Sequence, residues 1–311
     1  MKKHPLEYIK SYGLKLFLVE FIILFLNKFH VLDNLKQNLT IKKNNMIAKR
    51  LETKYNYLID KYKDVDIEYH KNDNLIWVFW YQGEKEMPEL VKLCIENMRK
   101  KLKSHKVIII SKENLKDYIE LPDYIYEKFN QKIIGPAHFS DIVRAKLLSE
   151  HGGIWLDATI YVSEPIPKKE INDIKTIKFP CKEKTSISKG RWCGFFLGKI
   201  NPKLYKFMYD FYLEYWQEEN IIIDYFLMDY MIDMAYKNFI IVKKDIDNNK
   251  INNQNIHKLE QLLNKDFNIK EYEELKKTNK LHKLSYKIEL KEQNDTKLTY
   301  WGYIKGGQNE K

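Results

Sequence analysis

The chain has 311 residues and a formal net charge of +11, with 44% apolar and 31% charged residues. This length and balance fit one large α/β domain or two small ones and exclude an intrinsically disordered chain. The positive charge is spread along the sequence and mixed with glutamate, and no nucleic-acid-binding module is recognisable, so we expect no nucleic-acid partner. Cys94, Cys181 and Cys193 form no C-x-x-C pair, which argues against a disulfide framework or a zinc site.

Residues 1–72 are predicted to form an N-terminal helical extension. Within it, the run from Leu14 to Leu26 is almost entirely apolar and is interrupted by Lys15 and Glu20. The run is shorter than the roughly 20 residues that cross a bilayer, and no small-residue cleavage site follows it. Three interpretations stay open: a helix buried against the main domain, an interfacial helix in the inner leaflet, or a true span. The lysines expected near lipid headgroups are Lys2, Lys3, Lys10, Lys15 and Lys28.

Residues 73–311 are predicted to form one α/β domain. The apolar, aromatic run 74–80 predicts the first strand, residues 81–83 the turn after it, and residues 106–111 a second buried strand. A helix in the 140s and a strand at 154–157 follow. This β-α-β-α order predicts a central, mostly parallel sheet with right-handed crossovers. No G-x-G-x-x-G follows the first strand, which argues against a dinucleotide-binding Rossmann site.

The most informative residues form one helix-turn-strand unit. Asp141 and Arg144 are three residues apart, so they share a face of the predicted helix. Gly152 and Gly153 end that helix, because glycine adopts the left-handed conformation readily. The strand that follows ends at Asp157, at the edge where open α/β sheets bind ligands. A charge at the end of an apolar strand needs a partner, so we expect Asp157 to meet a cation, a hydroxyl or a phosphate-bound metal.

After the central unit the pattern becomes irregular. Short strands are predicted at 176–179 and 192–197, a helix from Pro202, and a second helix over 222–237. Residues 244–256 are rich in Asn, Asp and Lys, which predicts a mobile loop.

Several blocks of this sequence resemble the sugar-nucleotide site of GT-A glycosyltransferases, whose strand ends in a DXD motif. The blocks are Trp77 to Gly83 with Met87-Pro88, Ser140-Asp141-x-x-Arg144, Gly152-Gly153-x-Trp155-x-Asp157-Ala158-Thr159, and a weaker one at Lys283 to Lys287. They are similar to those of bacterial capsular polysaccharide synthesis glycosyltransferases. More distantly, they resemble the DXD sugar transferases of yeast mannan synthesis and the large clostridial glucosylating toxins. The resemblance implies a GT-A-like, Rossmann-type single domain.

The resemblance also implies roles for individual residues. Asp141, Arg144 and Asp157 would form the catalytic centre, with Asp141 and Arg144 on donor-sugar hydroxyls and Asp157 on ribose or a metal-bound diphosphate. The further donor-binding candidates are Trp77, Phe79, Trp80, Gln82, Gly83, Ala158, Thr159 and Lys283. Asp229 is the acceptor-binding candidate, and Lys287 and His282 lie beside Lys283.

Each candidate has a structural alternative. The aromatic residues of the first strand are as compatible with core packing as with stacking on a base. Asp141 and Arg144 could be a helix ion pair, and Asp157 a strand-end hydrogen-bond acceptor. An exposed or capping role is the alternative for Asp229.

Thr159 departs from the pattern of the wider family. It stands where the second acid of the DXD motif would be, and a hydroxyl is a poorer ligand than a carboxylate for Mg²⁺ or Mn²⁺. A divalent metal at Asp157 and Thr159 is therefore expected to bind weakly. The capsular group tolerates Asp-Ala-Thr, so the substitution does not imply an inactive enzyme. If the metal binds weakly, a lysine or histidine must balance the negative charge of the leaving diphosphate.

The resemblance thus implies a cytoplasmic glycosyltransferase, and the apolar N-terminal run adds a peripheral position on the inner face of the cell membrane. It would transfer a hexose, with UDP-hexose as the expected donor and with retention, to a lipid-linked oligosaccharide in capsular or cell-surface polysaccharide synthesis. Mn²⁺ or Mg²⁺ is the cofactor considered. The alternatives are a protein-modifying glycosyltransferase, a non-catalytic sugar-nucleotide-binding partner, and a basic nucleic-acid binder.

Overall fold

A computed structural model describes residues 5–29, 32–68 and 74–306, without the side chains of residues 28 and 29. The predicted domain boundary at 72/73 lies outside the described residues. So do Lys2, Lys3 and the side chain of Lys28.

Helices and strands follow one another along the described chain. The first part contains α1 (Pro5–Tyr12), α2 (Leu14–Phe29), α3 (Asp33–Lys54), α4 (Asn56–Lys63), β1 (Leu75–Phe79), a 3₁₀ turn (Glu84–Glu86), α5 (Glu89–Lys101), β2 (Lys106–Ile110), α6 (Leu115–Tyr118), α7 (Asp123–Asn130) and α8 (Pro136–His151). The second part contains β3 (Ile154–Leu156), β4 (Ile160–Val162), α9 (Lys168–Asp173), β5 (Phe196–Leu197), α10 (Pro202–Glu218), α11 (Leu227–Asn238), α12 (Ile240–Asn248), α13 (Lys258–Leu262), α14 (Ile269–Thr278), β6 (Leu281–Lys283), β7 (Gln293–Asn294), β8 (Lys297–Leu298) and α15 (Tyr300–Gly306).

A four-stranded sheet has the order β2-β1-β3-β5. β1 runs parallel to both β2 and β3, and β5 is antiparallel to β3, so the predicted mostly parallel sheet is confirmed. Alternation along β1 sends Trp77 into the core beside α8 and α10, and Ile76 and Val78 into a second core beside α5. Because both faces are covered, β1 reads as a continuous apolar run. A separate pair, β4 with β6, carries Lys283 at its end.

The N-terminal helices share the core of the main domain. Tyr8 and Tyr55 are almost completely buried there. The Tyr8 hydroxyl donates to the carbonyl of Ile223 at 3.1 Å, and the Tyr12 hydroxyl donates to that of Ile221. These contacts attach α1 to the segment that precedes α11.

The apolar helix α2 is covered on one side only. Leu16 and Val19 are buried, whereas Leu14, Leu18 and Phe21 are each about half exposed. One side of this helix therefore packs on the domain, as the buried-helix interpretation predicted, and the other side faces outward. The interfacial helix stays a prediction. Among the described residues, no helix combines the length and the apolar character that crossing a membrane requires.

Four predicted elements of the second half need correction. The strand expected at 192–197 is limited to Phe196–Leu197. The helix expected over 222–237 begins only at Leu227 and ends at Asn238. The strand expected at 176–179 is reduced to an isolated bridge between Thr176 and Leu197. The loop expected at 244–256 is helical up to Asn248, because Val242 and Ile246 are completely buried.

The polar residues after α12 are ordered by hydrogen bonds. Asn249 is 5% exposed; its side chain accepts from the Lys175 backbone at 3.0 Å and donates to the Thr176 carbonyl at 2.8 Å. These bonds satisfy backbone groups that a sheet would otherwise satisfy. The asparagine side chains therefore stabilise a segment of the fold that has no regular secondary structure.

Gly153 is required by the turn from α8 to β3. Its φ is +85°, and a Cβ there would lie 2.7 Å from the Leu75 carbonyl oxygen. Gly153→Ala should lower the free energy of unfolding by about 2–4 kcal/mol, through backbone strain and the clash with β1. Gly13→Ala is the matched control, because Gly13 has φ +89° and open space around it. Urea unfolding of both variants measures the difference. Equal losses would show that contact with Leu75 contributes nothing.

Candidate functional site

A cavity of about 790 Å³ opens at the carboxyl ends of β1 and β3. Residues after β1 form one wall, residues after β3 form the floor, and α8 and α11 form the sides. The predicted residues that line it are Phe79, Trp80, Gln82, Asp141, Arg144, Asp157, Ala158, Thr159, Asp229, Lys283 and Lys287. Segments up to about 200 residues apart in sequence thus meet at the edge where parallel sheets bind ligands.

Arg144 lies at the centre of this site. Its guanidinium is 3.4 Å from the Asp141 carboxylate and 3.3 Å from that of Asp157, and it donates to the Gly194 carbonyl at 2.7 Å. It also lies over the Trp155 ring, 4.5 Å from the centroid. The three-residue spacing on α8 therefore forms the expected pair, and the same cation reaches the end of β3.

Asp157 accepts hydrogen bonds at both carboxylate oxygens. The Trp155 indole donates to Oδ1 at 3.0 Å, and the Lys283 ammonium donates to Oδ2 at 2.7 Å. Burial alone would raise the pKa of Asp157. The charges of Lys283 and Arg144 and these hydrogen bonds outweigh burial and lower the pKa to about 2. Asp157 is therefore ionised at any physiological pH.

Lys283 connects Asp157 to Thr159. Besides its bond to Asp157, its ammonium donates to the Thr159 hydroxyl at 2.8 Å. The pairing of β4 with β6, with Ile160 opposite Lys283, brings the lysine to this position. A cation thus lies between the first acid and the residue that replaces the second acid.

Aromatic residues surround the carboxyl end of β1. Trp80 meets Tyr286 edge to face with ring centroids 5.4 Å apart, and Tyr81 meets Phe129 at 5.0 Å. Phe79 packs towards Phe139 at 6.1 Å. This wall is mostly aromatic, and the amide of Gln82 and the hydroxyls of Tyr81 and Tyr286 are among its polar groups, which suits a flat heterocycle with polar edges.

Trp77, Gly83 and His282 are not brought into the cavity. Trp77 is 1% exposed, and its indole donates to the Gly152 carbonyl at 2.8 Å, so it supports the turn beneath the site. Gly83 is buried in the turn before the 3₁₀ segment. His282 is completely buried beside Ser163, and burial lowers its pKa to about 3, so it is neutral.

Asp229 occupies the α11 side of the cavity. Burial raises its pKa to about 6, and this effect prevails although the Trp192 indole donates to the carboxylate at 2.9 Å. Asp229 thus changes charge near neutral pH, unlike Asp157.

Several lining residues were not predicted from the sequence. Tyr225 and Phe226, at the N-terminal end of α11, are 67% and 52% exposed. Gly194 lies against Arg144, and a Cβ at this position would be 2.1 Å from the Met228 methyl group and 3.1 Å from Arg144 Nη1. Aromatic residues are too common in this chain for Tyr225 to be noticed. Gly194 needs no positive φ and has no sequence signature.

The chain is similar to a curated glycosyltransferase and matches the model of a protein family. A segment of 97 residues is 32% identical to the O-glycosyltransferase braB of Annulohypoxylon truncatum, covering 28% of this chain and 23% of the relative. The chain thus spans about a quarter of that protein's length. Residues 28–304 match the model of the capsular polysaccharide synthesis protein family. The match extends over most of the sequence and includes every residue that lines the cavity. The chain therefore belongs to the capsular polysaccharide synthesis protein family.

Proposed function

We propose that this protein is a GT-A-type retaining glycosyltransferase that moves a hexose from a UDP-sugar to a lipid-linked oligosaccharide in capsular or cell-surface polysaccharide synthesis. The observation that carries the proposal is the cavity in which Asp157, Arg144 and Lys283 meet beside Asp141. Family membership supports the pathway. The similarity to an O-glycosyltransferase supports the reaction class.

The donor would lie across the ends of β1 and β3. The aromatic wall around Trp80 and Tyr286 suits the base, and the ammonium of Lys283 suits the diphosphate. The sugar would then reach Asp141, whose carboxylate accepts hydroxyl hydrogen bonds while Arg144 fixes its position. Catalysis in such a site is mostly positioning and charge stabilisation.

The acceptor would enter beside α11. Asp229 offers a carboxylate there, and exposed Tyr225 and Phe226 form an aromatic lip of the kind that sugar rings pack against. Tyr8 of α1 holds the carbonyl of Ile223, two residues before Tyr225. The N-terminal helices are thus attached to the acceptor side of the cavity.

The outward stripe of α2 suits the surface of the membrane that would carry such an acceptor. Leu14, Leu18, Phe21 and Phe25 are spaced as one helical face and are each about half exposed. Lys15 is exposed beside them, and the chain carries +11 net charge, which suits anionic lipid. We therefore propose that α2 lies on the inner membrane surface of a cytoplasmic enzyme.

Donor class is tested by thermal shift with UDP-, GDP- and CMP-sugars. A ligand at a hundredfold its dissociation constant adds about 2.7 kcal/mol of stability, which is measurable.

Transfer assays with a lipid-linked glycan and with a Ser/Thr peptide then separate the two acceptor classes. The Asp157→Ala variant should not bind the donor in a reactive position and should show no turnover. If the wild-type protein binds a sugar nucleotide but shows no turnover, the non-catalytic alternative would be favoured.

Asp141→Asn and Arg144→Lys should each reduce transfer at least about a hundredfold. The first loses a charged acceptor for sugar hydroxyls, and the second loses the planar fork that holds two carboxylates. Steady-state kinetics measure the loss, and thermal melts verify the fold. Lys146→Met is the control, since this α8 lysine pairs with Glu150. Near-normal turnover in both site variants would remove these residues from the mechanism.

Acceptor use should weaken as the pH falls through about 6, because Asp229 becomes protonated there. A charge-assisted hydrogen bond to the acceptor would be lost, so the acceptor KM should rise about tenfold while the donor KM changes little. The Asp229→Asn variant should show the raised acceptor KM at every pH, without the additional rise at acidic pH (the acidic limb of the pH profile). Asp233→Asn is the control, because this α11 residue pairs with Arg191 and Lys237. An acidic limb that persists in Asp229→Asn would assign it to another group.

Leu18→Glu combined with Phe21→Glu should reduce binding to anionic vesicles at least tenfold. Each apolar side chain stabilises insertion by about 1.5–3 kcal/mol when fully buried. Cosedimentation with phosphatidylglycerol vesicles measures the effect, and activity on a soluble acceptor analogue should persist. Ile240→Glu is the control, since Ile240 is 74% exposed on α12. Light scattering could instead show a dimer that these changes dissociate while vesicle binding stays unaltered. That result would show that a second copy of the chain covers the stripe.

A further inference from the structure

The ammonium of Lys283 bridges the two residues to which the GT-A resemblance assigns a metal. It is 2.7 Å from Asp157 Oδ2 and 2.8 Å from the Thr159 hydroxyl, between the two positions of the motif. Both side chains of the ion pair stay in reach of a ligand, since Lys283 is 21% and Asp157 29% exposed. The pair thus forms part of the cavity wall and is not sealed in the core.

The residues around Asp157 do not fit a divalent metal. Such ions take six or more oxygen ligands at about 2.0–2.6 Å. Here one carboxylate oxygen accepts from Trp155 and lies near Arg144, and the other accepts from Lys283. Thr159 also accepts from Lys283. Within the described parts of the chain, no cluster of three or more His, Cys, Asp or Glu side chains could hold a metal ion.

The lysines on this side of the cavity suit an anion instead. Arg144 is shared between Asp141 and Asp157, so these two acids are balanced by Arg144 and Lys283, and the Lys283 ammonium stays open to the cavity. Lys287, exposed on the same segment, lines the cavity a short way along the chain. Two lysines of one segment could thus reach successive phosphates, as charge-assisted donors do.

We propose that Lys283 replaces the metal and stabilises the leaving diphosphate, so that donor binding and transfer need no divalent ion. This inference rests on the proposed transferase function. In the transfer, the bond between the sugar anomeric carbon and the β-phosphate oxygen breaks, and the acceptor oxygen bonds to that carbon. The acceptor proton passes to the departing diphosphate, which exchanges it with water. The Lys283 ammonium donates to the diphosphate oxygens as their negative charge grows.

The first test compares UDP binding by the wild-type protein in chelator and in Mn²⁺. Calorimetry should give dissociation constants within about twofold of each other, and transfer should proceed in chelator. Binding that vanishes in chelator and returns with micromolar Mn²⁺ would overturn the inference while leaving the transferase function standing. Absence of binding by UDP, GDP or CMP in either condition would instead overturn the proposed function itself.

The second test removes the charge. Lys283→Met should weaken UDP binding about ten- to a hundredfold in chelator, and Lys283→Arg should recover part of the affinity. Lys280→Met is the matched control, because this neighbouring lysine pairs with Glu170 on the surface. Circular dichroism melts check that each variant folds. Equal UDP affinity in Lys283→Met and wild type would also overturn the inference.

The third test rebuilds the motif of the wider family. Lys283→Ala combined with Thr159→Asp removes the ammonium and supplies the second acid. UDP binding by this variant should require Mn²⁺, whereas Lys283→Ala alone should bind UDP poorly with or without the metal. Metal-independent binding by the double variant would contradict the assignment of Lys283 as the cation.

Discussion

The site depends on one buried guanidinium. Arg144 is 5% exposed, and a charge so far from water is tolerated only when it is paired and hydrogen-bonded. Its partners come from α8, from the end of β3 and from the segment before β5, and its plane lies over Trp155. Separate parts of the chain are thereby held in one arrangement. Losing Arg144 would leave two carboxylates near each other without their shared cation.

Local pattern was enough to predict the part of the site that lies on one continuous segment. Helical spacing predicted the Asp141–Arg144 pair, glycine predicted the end of α8, and strand periodicity predicted that Asp157 follows an apolar strand. Alternation along β1 also places Trp77 and Trp80 on opposite faces of the sheet. It could not tell which side of the strand end faces the cavity, so Trp77 was expected in the site although it lies beneath it.

Contacts between distant segments could not be predicted in this way. Lys283 reaches Asp157 only because β6 pairs with β4, about 120 residues away in sequence, and the residue types do not encode that register. The polar segment after Val242 was expected to be mobile, yet two buried aliphatic residues and the Asn249 side chain order it. Tertiary burial overrides composition in such segments.

Gly194 lets two side chains of the site come close to the backbone before β5. A Cβ there would lie 2.1 Å from the Met228 methyl group and 3.1 Å from Arg144 Nη1, so a larger residue would displace the Met228 side chain and press on the guanidinium. Its neighbours Phe195 and Met228 also face the cavity, and each contacts a cation. Met228 Sδ accepts from Arg144 at 3.2 Å, and the centroid of the Phe195 ring lies 5.5 Å from the Lys283 ammonium. The apolar wall and the electrostatic centre are therefore packed as one unit, so a substitution that reshapes the wall for another ligand would also move the charges.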